Sequence, residues 1–266
     1  MTPFPSLFVS HGAPNLPLYA SPAREFLSQL GQDLGKPNAI LIISPHWLSD
    51  RPTVSIAPQV HAVHDFGGFP QELYELTYDA PGAPDLAEQV VAVLSHAGVE
   101  PETTSTGGLD HGAWVPLKLM YPEADVPIIQ LSLPYRKTPE QLLTLGHALA
   151  PLRQSGLLIL ASGSATHNLK RLGRYARDDN NPPDWVLEFD QWLAGAIAQN
   201  DTARLLDYRH QAPHAVDNHP TDEHLRPLFI ALGAGGKTSQ GKRLHSSYTY
   251  GILSMAAYAF EEKSNL

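Results

Sequence analysis

The 266-residue chain contains no cysteine. Disulfides and thiolate metal sites are thereby excluded, and any metal must be held by nitrogen and oxygen ligands. Cations are scarce as well: 18 Lys and Arg stand against 27 Asp and Glu, a formal net charge of −9. No basic stretch could neutralise a run of phosphates, so nucleic acid and anionic membranes are not expected as partners. No apolar run approaches the about 20 residues of a membrane span. The opening Met1-Thr2-Pro3-Phe4-Pro5 lacks a charged segment followed by an apolar one. No signal peptide and a cytoplasmic location are therefore expected. Internal repeats and low-complexity linkers are also absent. What remains, 42% hydrophobic and 17% charged residues, can bury a sizeable core. The length suits one large α/β domain spanning residues 1–266, as a monomer or small homo-oligomer.

Three apolar runs each end in a small polar tail carrying a histidine. They are Leu7-Phe8-Val9-Ser10-His11, Ile40-Leu41-Ile42-Ile43-Ser44-Pro45-His46 and Leu157-Leu158-Ile159-Leu160-Ala161-Ser162-Gly163-Ser164-Ala165-Thr166-His167. Short unbroken runs of Ile, Leu and Val read as buried strands of a parallel sheet. Ligands in such folds gather at the carboxyl ends of the strands. Imidazole is the commonest metal ligand, so three of them on that edge point to one metal site.

The remaining pattern alternates. Helices are predicted over Pro22–Leu34, Pro84–Ala97, Thr138 to about Arg153, and Trp185–Ala198. Strands are predicted at Ser6–Ser10, Ala39–Ser44, Thr53–Ala57, Val126–Leu133, Leu157–Ala161 and Tyr248–Ser254. Thr221 is expected to cap a further helix reaching Gly233, with Asp222 and Glu223 in its first turn. Residues 58–82 and 104–116 read as long loops, and the terminal residues 261–266 as a frayed end. The fold class is α/β, a mostly parallel or mixed central sheet flanked by helices.

Of the thirteen histidines, His96, His147, His210, His214 and His245 read as structural or solvated. His224, in the first turn of its predicted helix, can face the sheet edge. His111 follows Asp110 in a glycine-rich loop, but neighbours in sequence need not touch in space. His64-Asp65 is a weaker signal still, and His219 before Pro220 is left unassigned. A serine hydrolase is disfavoured because the G-x-S-x-G elbow is absent: Ser162-Gly163-Ser164 is flanked by Ala161 and Ala165.

A set of short motifs then occurs in a specific order: Ser10-His11-Gly12-Ala13-Pro14, Ser44-Pro45-His46-Trp47, His64-Asp65-Phe66-Gly67-Gly68-Phe69-Pro70, Asp110-His111-Gly112-Ala113-Trp114, Ser162-Gly163-Ser164-Ala165-Thr166-His167-Asn168-Leu169 and Pro220-Thr221-Asp222-Glu223-His224. Together they resemble the DODA-type extradiol ring-opening dioxygenases, relatives of the catalytic subunit of protocatechuate 4,5-dioxygenase within the class III extradiol enzymes. The likeness runs over about residues 6 to 255.

The resemblance implies one mononuclear divalent metal per chain, Fe(2+) for ring opening, with Zn(2+) as the alternative in bacterial members. It maps metal ligation onto His11, His46 and His224, with His167 as a fourth ligand or an acid/base group, and His111 as the acid/base group of the pocket. It implies a catechol, DOPA-like, and O2 as substrates. Protocatechuate-type relatives supply a glutamate where this chain offers His224, and an all-histidine shell suits zinc. A histidine titrating near neutrality could take the catechol proton and return it. Trp47, Phe66 and Phe69 offer aromatic faces for a planar ring, or simple core packing. Two other readings share the scaffold: a zinc-dependent hydrolase, and a non-catalytic metal- or small-molecule-binding protein.

Overall fold

The computed structural model describes residues 3–174 and 176–262. Eight strands form the main sheet: β1 Ser6–Ser10, β2 Ala39–Ser49, β3 Thr53–Ser55, β4 Glu102–Thr104, β5 Ile128–Pro134, β6 Leu157–Gly163, β7 Ser239–His245 and β8 Ala257–Glu262. Their spatial order is β7-β8-β1-β6-β2-β5-β3-β4. The central four, β1, β6, β2 and β5, run parallel, while β8 and β3 join them antiparallel. The sheet is thus mixed with a parallel centre, as the unbroken apolar runs predict.

Alternate residues of the central strands enter different cores. Phe8, Leu41, Ile43, Ile129, Leu131, Ile159 and Ala161 face one side, where α2 (Pro84–His96), α4 (Pro139–Leu149), α5 (Asp184–Ala198) and α6 (Pro227–Ala234) cover them. Leu7, Val9, Ile40, Ile42, Ile128, Leu158 and Leu160 face the other, under α1 (Pro22–Leu34) and α3 (His111–Met120). Among the described residues no helix is long and apolar enough to cross a membrane.

Several expectations are revised. Residues 111–120 are a helix, not a loop, because Asp110 caps it through the Ala113 N–H. Gly112 and the internal Pro116 mask its helical pattern in the sequence. Thr221 caps nothing: its hydroxyl donates to Glu223, residues 223–226 form a turn, and the helix begins at Pro227. Tyr248–Ser254 is a small hairpin, Tyr248–Thr249 with Leu253–Ser254. The last strand of the sheet is β8, so Glu261 and Glu262 are paired and do not fray; residues 263–266 of that expectation lie outside the described ones. Residues 58–82 are not all loop. Gln59–Ala62 pairs with Ala80–Pro81 and with Gly108–Leu109 in a second, three-stranded sheet.

The segment after β6 is braced from residues 217–219. The His167 N–H donates to the Asn218 carbonyl (2.9 Å), Asn168 Nδ2 to the Asp217 carbonyl (2.6 Å) and His219 Nε2 to the Ala165 carbonyl (2.9 Å). His219 is fully buried, and burial drops its pKa from 6.5 to about 3. The unfolded chain therefore binds a proton at His219 that the folded chain refuses. This contribution is complete above pH 6.5 and is lost as pH falls toward about 3, by up to about 1.4 kcal/mol per pH unit. His219→Gln keeps an amide donor for Ala165 but cannot titrate. Its unfolding free energy, measured by denaturant titration from pH 6 to 4, should fall less steeply with acid, by up to about one proton's worth of slope. Identical slopes in the two proteins would show that His219 is not held neutral.

Candidate metal centre

Four features of the sheet's carboxyl edge bring distant histidines together. β1 ends at Ser10, so His11 is the first residue past the strand. Its Nδ1 lies 2.9 Å from the Gly12 carbonyl. A carbonyl only accepts, so Nδ1 carries the hydrogen and Nε2 keeps its lone pair.

β2 continues past the sheet's edge, but its pairing with β5 breaks. Ser44 lies opposite Ser132 and Leu48 opposite Leu133, so Pro45, His46 and Trp47 are extruded as a bulge. Proline has no N–H to give to the ladder, which marks where pairing stops. The bulge places the His46 ring against the first turn of α3. A Cβ on Gly112 would sit 2.5 Å from Ser44 Oγ and 2.9 Å from His46 Cδ2, so only glycine fits there. Pro116 cannot donate to the Gly112 carbonyl, and the Ser162 hydroxyl of β6 donates to it instead.

β6 ends in Gly163, where a Cβ would lie 2.2 Å from the His224 carbonyl. The Ser164 N–H donates to that same carbonyl at 2.9 Å. His224 is thus pinned to the end of a strand sixty residues earlier in the chain. Glu223 turns back in the same segment, its Oε1 3.1 Å from His224 Nδ1. That contact leaves His224 Nε2 as the free nitrogen.

The result is a cluster. The ring centroids of His11, His46 and His224 are 5.0 to 5.4 Å apart, and His111 sits 4.0 Å from His46 and 5.3 Å from His11. One ring nitrogen each of His11, His46 and His111 lies within 4.8 Å of the others. His167 stacks on His224 at 3.5 Å with a 9° interplanar angle. Glu223 joins that pair within the same reach.

Burial shapes the charge here. It holds His11 and His224 well below the ordinary histidine range, with the neighbouring rings adding to the effect. Burial also lowers His46 to about 3, with His111 adding and Asp65 opposing, and His167 to about 4 against the pull of Glu223. Neutral imidazoles keep lone pairs. The Nε2 atoms of His11 and His224 are buried and have no hydrogen-bond partner among the described residues. A buried polar atom without a partner costs about 1–3 kcal/mol, so two such atoms in one cluster fit a bound cation. The cluster could hold a metal ion through nitrogen donors, one of the two donor types left to a chain without thiols.

His111 has a different partner. Its Nδ1 lies 3.0 Å from both oxygens of Asp65, and its backbone N–H donates to Asp65 Oδ1 at 2.9 Å. Asp65 Oδ2 also lies 3.9 Å from His46 Nδ1. Burial raises the Asp65 carboxyl, but the hydrogen bonds and charge of His111 outweigh it and the net shift is downward. Asp110, adjacent in sequence, does not touch the His111 ring. It is buried beneath the cluster and accepts from Ser44 Oγ (2.5 Å), the Ala113 N–H (3.2 Å) and Gln130 Nε2 (3.1 Å).

The structure therefore brings His11, His46, His111, His167 and His224 into one cluster. Asp65 and the contact of Glu223 with His224 were not foreseen. Asp65 lies 46 residues from His111, and Glu223 was expected in the first turn of a helix that in fact begins at Pro227. Phe66 stands 5.7 Å from His111 and 5.3 Å from Phe69, and Trp47 lines a cavity beside His46. Six further histidines are engaged elsewhere: His64 with the Leu76 carbonyl, His96 with Ala92, His147 with Gly233, His210 with Asp207, His214 with Glu188, and His245 stacked on Phe26.

Residues 5–261 match the family described as the catalytic LigB subunit of aromatic ring-opening dioxygenase. A 4,5-DOPA dioxygenase extradiol from Beta vulgaris is 40% identical over 259 residues, covering 96% of both chains. One from Escherichia coli (strain K12) is 35% identical over 239 residues, covering 88% of this chain and 86% of the relative. A crystal structure of an uncharacterized Escherichia coli K12 protein superposes with a TM-score of 0.77 at 29% identity, covering 96% of this chain and 99% of that one. With a family match over nearly its whole length, the chain belongs to the LigB family of aromatic ring-opening dioxygenases, in the DODA-type branch of the class III extradiol enzymes.

Proposed function

We propose that the enzyme opens the ring of a catechol with O2, using one divalent metal held by His11, His46 and His224. The observation that carries this reading is the pair of buried, unpartnered Nε2 atoms on His11 and His224 beside a histidine whose Nδ1 is held by a carboxylate. When bound, the ion supplies Lewis acidity and open coordination positions at the pocket. Fe(2+) suits oxygen chemistry.

The protein's own residues then divide the work. His11 and His224 have their Nδ1 atoms committed to Gly12 and Glu223, which fixes each ring and turns Nε2 inward. His111 is the acid/base group. Asp65 accepts the Nδ1 hydrogen, so Nε2 is the atom that takes a proton from a catechol hydroxyl and later returns it. The Asp65 carboxylate stabilises the imidazolium in between. Phe66 packs edge-on against this ring and keeps water from one side of it.

His167 stands outside the ligand set in this reading. The lone pair of an imidazole nitrogen lies in its ring plane, and the His167 and His224 planes are nearly parallel at 3.5 Å. Two such stacked rings would not aim their lone pairs at one point, although their nitrogens are near each other. His167 is then a second polar group at the pocket, available to hydrogen-bond substrate. The neutral all-nitrogen shell also suits zinc, and a zinc hydrolase with His111 as base is the second reading that this shell supports.

Chelated protein should lose ring opening. Anaerobic reloading with Fe(2+), followed by O2 and a catechol, should restore it as a yellow ring-opened product. Hydrolysis restored by Zn(2+) instead would favour the second reading. His11→Ala and His224→Ala should lose metal, measured by elemental analysis, together with activity. His111→Ala should keep its metal yet turn over about a hundredfold or more slowly; metal loss equal to that of His11→Ala would defeat this division of labour.

Asp65→Asn keeps the shape of the side chain but cannot stabilise the imidazolium, and its amide can force the wrong tautomer. It should lower kcat about tenfold to a hundredfold with metal content and KM little changed. Asp65→Glu should recover part of that loss. A fall in metal content that tracks the fall in kcat would assign Asp65 to the shell's architecture and not to proton transfer.

A further inference from the structure

The loop that carries Asp65 does not hold its carboxylate by burial. Val63, Asp65, Gly67 and Gly68 are all exposed, and Gly68 has a φ of +80°. Exposed backbone rich in glycine is the kind of segment that opens locally. Yet Asp65 meets His111 with both oxygens at 3.0 Å from Nδ1. Something beneath the loop must supply the order.

The residues on either side of Asp65 turn the other way. His64 and Phe66 pack on the indole of Trp114, which is fully buried, with ring centroids at 5.9 and 6.4 Å. Trp114 Nε1–H donates to the Val63 carbonyl at 3.1 Å, two residues before Asp65. Trp114 stands three residues after His111 on α3, a spacing that puts both on one side of the helix. One helix thus carries the ring that Asp65 meets and the indole that holds the loop bearing Asp65. Backbone bonds complete the stitch. The Val63 N–H donates to the Leu109 carbonyl at 2.7 Å, and the His111 N–H to Asp65 Oδ1 at 2.9 Å. On the far side, His64 Nε2 donates to the Leu76 carbonyl, and Phe66 packs 5.5 Å from Tyr74. A carboxylate that orients a histidine must be held within about 0.5 Å of its working position by supporting groups.

Resting on the assignment of His111 as the acid/base group in the extradiol reading above, we infer that Trp114 is a positioning residue. Its indole ring and N–H hold residues 63–66 so that Asp65 meets His111 Nδ1 and fixes which nitrogen carries the hydrogen. Trp114 acts through Asp65, and its effect vanishes when Asp65 can no longer do its work.

The test uses the full chain loaded with metal. Trp114→Phe removes the N–H and keeps a ring. It should lower kcat about three- to tenfold, with metal content and KM little changed. In the Asp65→Asn background the same change should cost less than about twofold, because the group that Trp114 positions is already disabled. Equal fold losses in the two backgrounds overturn the inference, as does a loss of metal that tracks kcat. Replacing Trp114 by β-(3-benzothienyl)alanine, which keeps both rings and lacks only the N–H, separates the hydrogen bond from packing and decides the matter should the phenyl variant not fold.

A second readout needs no turnover. In zinc-loaded, isotope-labelled protein in alkaline buffer, the NMR shifts of the His111 ring nitrogens report which one carries the hydrogen. The Nδ1–H form should dominate in the wild type and give way to a mixture in the variants. A wild-type ring that is already mixed overturns the inference, and so does a ring unchanged in every variant. If the tautomer responds as expected but no catechol is opened by the iron-loaded wild type, the extradiol reading falls and the positioning of Asp65 stands. Ring opening with kcat and tautomer both unmoved sinks the positioning alone.

Discussion

One buried carboxylate joins the three elements on which the histidine cluster stands. Asp110 caps α3, which carries His111; it accepts from Ser44 on β2, two residues before His46; and it accepts from Gln130 on β5. Each contact alone is an ordinary hydrogen bond. Together they fix where a helix begins relative to two strands of the sheet. Burial raises the Asp110 pKa, while the Ser44 hydrogen bond opposes the rise. A carboxylate so deep is tolerated because three donors converge on it. The site is therefore organised from beneath by a residue that never reaches the histidine rings.

The second constraint is that four of the imidazoles stay neutral. Five rings share one small volume, and burial makes protonating His11, His46, His167 or His224 expensive. Charging two at once would add repulsion between rings that are 3.5 to 5.4 Å apart. Neutrality is what a metal site needs, because a protonated nitrogen has no lone pair to share. Fixed neighbours decide which nitrogen keeps it. Gly12 and Glu223 occupy the outward nitrogens of His11 and His224, and Asp65 occupies that of His111. A carbonyl orients a ring, and a carboxylate also stabilises its charged form.

Much of the scaffold could be read from the sequence because it is written in local signals. Unbroken apolar runs marked β1, β2, β5 and β6, and Thr138 before Pro139 marked a helix start. The shared position of His11, His46 and His167 after strand ends was visible for the same reason. What was not visible depends on contacts across the chain. Helix α3 was hidden by Gly112 and Pro116, two poor helix formers whose use is tertiary: one admits the His46 ring and the other frees a carbonyl for Ser162. The turn at residues 223–226 replaced a predicted first helical turn because Glu223 pairs with Thr221 and His224, competing with the backbone. β8 lies on the sheet beside β1 although its sequence, Ala257-Tyr258-Ala259-Phe260, carries only small and aromatic residues.

The motif Asp110-His111 shows how adjacency misleads. In sequence it invites an acid–histidine pair. In the fold Asp110 turns inward to cap the helix that begins with His111, so its carboxylate serves the backbone. The acid that the histidine ring does meet, Asp65, comes from a different loop and binds both the ring and the backbone N–H of His111. Two carboxylates thus hold the same residue at different levels, one setting where its helix starts and the other which nitrogen carries its proton. The more exposed of the two, Asp65, is the one that can answer a change of charge on the ring. The buried one, with its oxygens already committed to three donors, holds the geometry still.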